Sequence, residues 1–394
     1  MRVAIIAPPW LALPIKGYGG IELVLEGLID GLRRQGVELE VFGNGAHKIR
    51  GVKTHSLYKT EQFEHIHRPY YETAPIVQAH ITFALNKIRE DGNFDIIHDH
   101  NTTIGPLFFA QASQLKGVPP VLHTFHGPPF TDPSEKSADV INNRAYLEQL
   151  KDLGKMYMVC ISEAMGKTAP ASIKPHLLKP VHNAIELEHF PFQPKKKDYF
   201  ITLARFTKDK GQAVAAKYAA RQKQKLKMAG TVAGIGSRSR LLLEIANPLS
   251  PYRMNEEFRY FSDKILQQTI KHPGITYVGN VSGERKMRLI ANAKALLFPI
   301  DWDEPFGMAV IEALACGTPV VAMRRGAMPE IIEHGVTGFL ADTEEEFGEY
   351  MKRVNEIDPA KCREAVEKFF DADAMASTYV ERYDEVIKRA KRRR

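Results

Sequence analysis

The 394-residue sequence predicts an α/β protein of two doubly wound domains, each a parallel sheet covered by helices. Three observations carry that prediction. Short continuous apolar runs alternate with helical patterns almost throughout, as expected of strands buried on both faces. Ten such runs suit two sheets of about five strands better than one very wide sheet. The stretch Ala184–Asp198, with two prolines, three consecutive lysines and no period, breaks the alternation near the middle. A chain of this length fits two domains of roughly 100–200 residues each.

The first series of strands is Val3–Ala7, Val37–Gly43, Phe94–His98, Val118–His123 and Met156–Ile161. After the first of them, Ile21, Val24, Leu25, Leu28, Ile29 and Leu32 recur at helical spacing and mark one buried face. The second series is Tyr199–Leu203, Leu226–Ala229, Ile275–Val278, Ala295–Pro299 and Pro319–Met323. Domain one is therefore read as residues 1–185, a linker as 186–198 and domain two as 199–370. Gly234–Asn255 fits the alternation poorly and reads as an insertion. The N-terminal MRVAIIAPPWLALPI carries Pro8, Pro9 and Pro14 and lacks a small-residue cleavage site. It reads as a first strand and its loop rather than a leader.

With 44% hydrophobic and 26% charged residues, the composition is that of a globular protein. It excludes a disordered chain, a collagen-like repeat and a small disulfide scaffold. Cys160, Cys316 and Cys362 are too few and too scattered for a disulfide framework or a four-ligand zinc knuckle. Their odd number points to a reducing, cytoplasmic setting. No run of ~18 apolar residues offers a membrane span. Six of the last seven residues, Lys388–Arg394, are basic, and without them the formal net charge falls from +7 to +1. A nearly neutral body argues against a broad nucleic-acid-binding face. The tail suits a peripheral contact with anionic lipid headgroups, a contact with RNA, or a merely solvated end.

Ligands of doubly wound sheets bind outside the carboxyl ends of the strands. Two such domains facing each other would place their chemistry on the loops around one cleft. The loop Lys16-Gly17-Tyr18-Gly19-Gly20-Ile21-Glu22 opens the first helix. Gly19 and Gly20 either let an anion approach the helix amides or make a tight turn. Arg205 and Lys210 follow the strand Tyr199–Leu203 and either converge on a diphosphate or form a solvated basic turn. After Ala295–Pro299 comes DEPFGMAVIEALACGTP, residues 303–319. Pro305 predicts an early helical position, leaving Glu304 at the cleft edge with the amides of Phe306, Gly307 and Met308 pointing in. Glu312 lies two turns on in an apolar helix, either paired and buried or singly exposed. His98, Asp99, His100, His123 and His126 gather at two neighbouring strand ends. They could bind zinc in a metal-dependent hydrolase, or line a cleft without metal. Cys316 reads as a small packing residue, and Trp302 either stacks on a ligand or packs.

In order, and over most of the chain, these segments resemble the retaining glycosyltransferases of family four, whose GT-B fold has two Rossmann-like domains facing across a cleft. Glu304-x7-Glu312 within EPFGMAVIEALACGTPVVA resembles the family's E-x7-E signature. GGIE at Gly19–Glu22 resembles its glycine loop, and FHG at Phe125–Gly127 its active-site histidine segment. HNAIELEHF at His182–Phe190 resembles the approach to its linker, and RFTKDKG its diphosphate segment. MPEIIEHGVTGFLA at Met328–Ala341 resembles a further C-terminal stretch. The sequence departs from the family at AGTVAGIGS, where a GxG turn is usual.

The resemblance implies roles for single residues. Arg205 and Lys210 would bind the donor diphosphate, and Gly19 and Gly20 would approach the phosphate from the other domain. Glu312 would hold the ribose hydroxyls, while Glu304 and the amides of Phe306, Gly307 and Met308 would hold the transferred sugar. His126 would lie beside that sugar, and His126, Arg205, Lys210 and Glu304 would form the catalytic set. A last helix, residues 371–394, would cross back to the first domain. The resemblance also implies a nucleotide-sugar donor, UDP-linked by family breadth, and neither metal nor other cofactor. The acceptor, a small molecule, lipid or glycan, would meet the loops around Glu61–Tyr71 and Gly127–Asp139. Transfer would be front-face, with a leaving-group oxygen assisting the acceptor. An inactive nucleotide-binding protein of the same fold is the other alternative; the presence of Arg205, Lys210, Glu304, Glu312 and His126 argues against it.

Overall fold

The computed structural model describes residues 1–15, 19–66, 68–127 and 143–392. The chain divides into two units, residues 1–185 with 372–394, and residues 186–371. In the first unit the strands are β1 (Arg2–Ile6), β2 (Glu38–Gly43), β3 (Lys53–Ser56), β4 (Ile96–Asp99), β5 (Val121–Phe125) and β6 (Met156–Cys160). They lie in the order β3-β2-β1-β4-β5-β6, every pair parallel. Residues Val3–Ile6 and Ile96–Ile97 are fully buried, because helices cover both faces of these central strands. The helix Gly20–Arg34 buries Val24, Leu25, Leu28, Ile29 and Leu32 of the predicted stripe.

Against that helix lies the last one, Ala372–Arg392, which belongs to this unit. Gly31 permits the approach: a Cβ there would stand 2.7 Å from the Ala372 carbonyl oxygen. Arg34 pairs with Asp373 at 2.6 Å across the same contact. Further along, Tyr379 and Tyr383 are fully buried and reach the sheet with their hydroxyls. Lys388 to Arg392 continue this helix, and Arg389 pairs with Glu385. The final Arg393 and Arg394 lie outside the described residues.

The second unit has β7 (Phe200–Leu203), β8 (Leu226–Ala229), β9 (Ile275–Gly279), β10 (Leu296–Phe298), β11 (Val320–Met323) and β12 (Gly338–Ala341). Their order is β12-β11-β10-β7-β8-β9, again all parallel. Both sheets thus show the Rossmann strand order, which reverses direction beside the first strand. The reversal falls between β1 and β4 in one unit and between β7 and β10 in the other.

Each sheet has six strands rather than five. The strand β3 escapes a search for apolar runs because KTHS is a polar, mostly exposed edge strand. The other additional strand is β12, GFLA, at the edge of the second sheet. Residues 186–198, read as a linker, fall in the second unit and are tied into it. The Lys196 ammonium donates to the carbonyls of Ala291 and Cys316 and to the Thr318 hydroxyl, and its burial lowers its pKa to about 8. The stretch 234–255 is not an appendage either. It sits in the β8–β9 crossover and forms the helix Arg238–Ala246, whose Leu241 enters the core with Phe258, Phe261 and Ile265. Its outer face exposes Leu243, Leu249 and Met254. Among the described residues, no helix is long and apolar enough to cross a membrane.

Candidate active site

At the reversal point of the second sheet, the loops after β7 and β10 are joined by the Asp301 amide, which donates to the Asp209 carbonyl at 2.7 Å. Lys210, at the end of the short turn Lys208–Lys210, places its ammonium 2.7 Å from Glu304 Oε2. Trp302 Nε1 donates to the same oxygen at 3.0 Å, and the Lys210 ammonium lies 4.3 Å from the centre of the indole. The side chains of Lys210 and Glu304 are only 15% and 13% exposed, so this pair is largely desolvated. Arg205 is different. Its side chain is 64% exposed and meets Glu257 at 3.4 Å, a solvent-screened contact that holds it weakly.

Glu312 takes the first of its two readings. It is 3% exposed, and its Oε1 lies 2.5 Å from the ammonium of Lys286. Lys286 belongs to the helix Gly283–Ala291 and had no place in the sequence reading. Within GERKMRLIA it is one basic residue among three, and periodicity does not separate it from a solvated face.

One local prediction is corrected. Pro305 does not open the helix; the helix runs Met308–Ala315, with Gly307 as its cap at φ 99°. That left-handed conformation suits glycine, and a Cβ there would also stand 2.8 Å from Met328 Cε. Phe306 is anchored in the core, its ring 6.0 Å from that of Phe370. The Met308 amide, not those of Pro305's neighbours, therefore heads the set lacking intrahelical acceptors.

In the first unit, Gly19 caps the helix Gly20–Arg34 in an extended conformation. A Cβ on Gly19 would run into Ile15 Cδ1 at 2.2 Å, whereas Gly20 faces open space. Lys16, Gly17 and Tyr18 lie outside the described residues. Glu22, in the first turn of that helix, is buried, and desolvation raises its carboxyl pKa. The Glu61 carboxylate accepts from the Ala12 amide at 2.8 Å, and Tyr70 and Tyr71 are exposed. Of the second predicted acceptor loop, residues 128–139 lie outside the described residues.

The histidines after β4 and β5 form a buried polar cluster. His98 bonds Tyr383 through Nδ1 at 2.7 Å and Thr124 through Nε2 at 2.8 Å. His123 Nδ1 meets Asp99 at 2.6 Å. His100 Nδ1 and His126 Nε2 share a hydrogen bond of 2.7 Å. Desolvation pushes His98 and His100 well down and His126 down to about 3, so these rings are neutral. The rings bond one another and their neighbours, and among the described residues no three His, Cys, Asp or Glu are placed to hold a metal ion. Among the described residues, His126 Nδ1, His100 Nε2 and His123 Nε2 are buried without partners. The thiols of Cys160, Cys316 and Cys362 are all buried and unoxidised, with pKa values raised by burial, as packing residues require.

Residues 18–189 match the family model described as Glycosyltransferase Family 4, and residues 185–369 the model described as Glycosyl transferases group 1. The chain is 24% identical to alpha-maltose-1-phosphate synthase of Mycolicibacterium smegmatis over 92% of both proteins. Several curated relatives match at higher identity over short stretches, and the chain spans about a third or less of their length. Among solved structures, sucrose-phosphate synthase from Thermosynechococcus elongatus superposes with a TM-score of 0.70 at 19% identity, covering 98% of this chain and 99% of that one. Anabaena HepE, solved with UDP and glucose, gives 0.64 at 16% identity, covering 98% and 100%. With consecutive family models over both Rossmann-like units and the fold shared with those structures, the chain belongs to the family 4 glycosyltransferases of GT-B fold.

Proposed function

We propose that this glycosyltransferase moves a sugar from a UDP-sugar to an acceptor hydroxyl with retention of configuration and without a metal ion. The observation that carries the reading is the meeting of Lys210 and Glu304 at the β7/β10 reversal point, with Glu312 held by Lys286 one helix on. The donor diphosphate would take Lys210 and the exposed Arg205 as its counter-charges. Glu312, held beside Lys286, would accept from the ribose hydroxyls. Glu304 would accept from hydroxyls of the transferred sugar, with the amide of Met308 beside it. His126, neutral because it is buried, would offer the sugar a ring nitrogen rather than a charge.

The bond between the anomeric carbon and the diphosphate oxygen breaks with its electron pair on that oxygen, and the negative charge developing there is stabilised by the two cations. The acceptor oxygen attacks from the same face and passes its proton to the departing phosphate oxygen, so configuration is retained. Double displacement would need a carboxylate nucleophile on the opposite face. The pairing of Glu304 and Glu312 with lysines favours binding roles for both. Two protein cations at the phosphate site support metal independence, and the UDP held by HepE supports the choice of base. The basic end Lys388–Arg394 is proposed to add a peripheral contact with anionic lipid.

A thermal-shift screen of UDP-, GDP- and ADP-sugars tests the reading. A donor at 100 times its dissociation constant should stabilise the protein by ~2.7 kcal/mol. No shift with any nucleotide sugar would contradict it.

A further inference from the structure

The N–H of Trp302 and one of its ring faces are both taken by partners within the protein. We infer that Trp302 is a positioning residue that holds Glu304 and Lys210 in place when a bound anion parts them, an inference that rests on the proposed donor reading of this pair. The Glu304 carboxylate receives two donors, Lys210 Nζ at 2.7 Å and Trp302 Nε1 at 3.0 Å, both on Oε2. Oε1 has no protein partner among the described residues and is the oxygen left to accept from a ligand. Lys210 is held twice, by that carboxylate and by the indole face 4.3 Å from its ammonium.

A diphosphate that draws on the Lys210 charge removes one of the two bonds to Glu304. The indole N–H is then the remaining fixed donor to that carboxylate. The same ring keeps the ammonium over its face through the quadrupole, which attracts cations without using up their hydrogen bonds. One rigid side chain therefore touches both an anion-binding cation and a hydroxyl-binding carboxylate, and in this largely desolvated setting it keeps a contact with each when a bound anion parts them.

Phenylalanine at 302 would keep the face and lose the N–H; leucine would lose both. W302F should lower turnover about tenfold to a hundredfold, the range for a hydrogen bond to a charged group, with UDP affinity within about twofold. W302L should lose turnover and also bind UDP several-fold more weakly, because Lys210 is released. A structural role alone would lower the melting temperature in both variants without this split between binding and turnover.

The direct readout is the indole N–H resonance. The chain has two tryptophans, so the W10F protein reports Trp302 alone. Its N–H should resonate downfield and exchange slowly, and should shift upfield in E304Q and move in K210M. A resonance insensitive to both substitutions, or W302F turning over like its parent, would overturn the inference. Should E304Q not fold, the exchange rate of the same proton in W10F decides the point: fast exchange contradicts the bond. If no nucleotide sugar is turned over by any form, the donor reading fails, while the resonance still supports or refutes the placement of Glu304.

Discussion

The carboxyl ends of central strands in the two sheets carry opposite kinds of polarity. After β4 and β5 stand buried imidazoles: His98, bonded to Tyr383 of the last helix, and His100, bonded to His126, are kept neutral by desolvation, and His123 meets Asp99. Beside β7 and β10 stand full charges, paired as Lys210–Glu304 and, on the neighbouring helices, Lys286–Glu312. A neutral ring needs no counter-ion, but it ties the fold to pH because the unfolded chain can take a proton that the fold refuses. A buried ion pair is costly to desolvate, yet it keeps a cation ready to exchange a carboxylate for an anionic ligand.

The largest expected effect of this difference is a selective acid weakness. His47, His80, His98, His100 and His126 all have pKa values pushed down by burial, His47 to about 4 and His126 to about 3. All five belong to the first unit. Each favours the folded state fully above the unfolded value of about 6.5. That contribution falls by about 1.4 kcal/mol per pH unit below it, until the folded pKa is reached. Hydrogen exchange at pH 7 and pH 5 should therefore show the first unit losing protection well before the second. Equal losses in the two units would break the comparison.

Next in size is the catalytic effect of the charged site. K210A should lower turnover about 10²–10³-fold, the usual cost of removing one preorganised donor to a developing charge. R205A, at an exposed position, should cost less. Steady-state kinetics with the donor found by screening measures both, and near-normal turnover in K210A would remove the site from the second unit.

Smaller again is E312A, which should weaken nucleoside diphosphate binding about tenfold to a hundredfold while changing turnover little. K286M should weaken binding in the same direction, because it leaves Glu312 buried without its cation. Normal affinity in K286M would show that the pair is only structural.

The smallest effect concerns the basic end. Removal of Lys388–Arg394 should weaken binding to anionic vesicles, each charge near such a surface adding about 1 kcal/mol, without altering turnover of a soluble acceptor. Failure of the intact protein to bind anionic vesicles would end that proposal.

The same contrast explains what could be read from sequence. Apolar runs announced the buried strands and the stripe Val24–Leu32, since burial on both faces or on one helix face dictates composition directly. The polar edge strand β3 carries no such signature. At the charged site, loop position after β7 and β10 pointed to Arg205, Lys210 and Glu304, because strand order fixes where loops converge. Lys286 was illegible. Its partner Glu312 lies 26 positions away, and no local pattern distinguishes it from its exposed neighbours. The start of the helix Met308–Ala315 was misplaced because proline chemistry was weighed above the left-handed backbone at Gly307. The histidine cluster was visible as residues but not as chemistry, because whether imidazoles converge on a metal or bond one another depends on geometry, not spacing.

The most direct test of the central claim is calorimetric titration of UDP, GDP and ADP, in EDTA, into the wild-type protein and into K210A and E312A. At least one of them, UDP foremost, should bind the wild type saturably, and binding should weaken at least about tenfold in each variant. Unchanged affinity in both variants, or binding that requires a divalent ion, would contradict it.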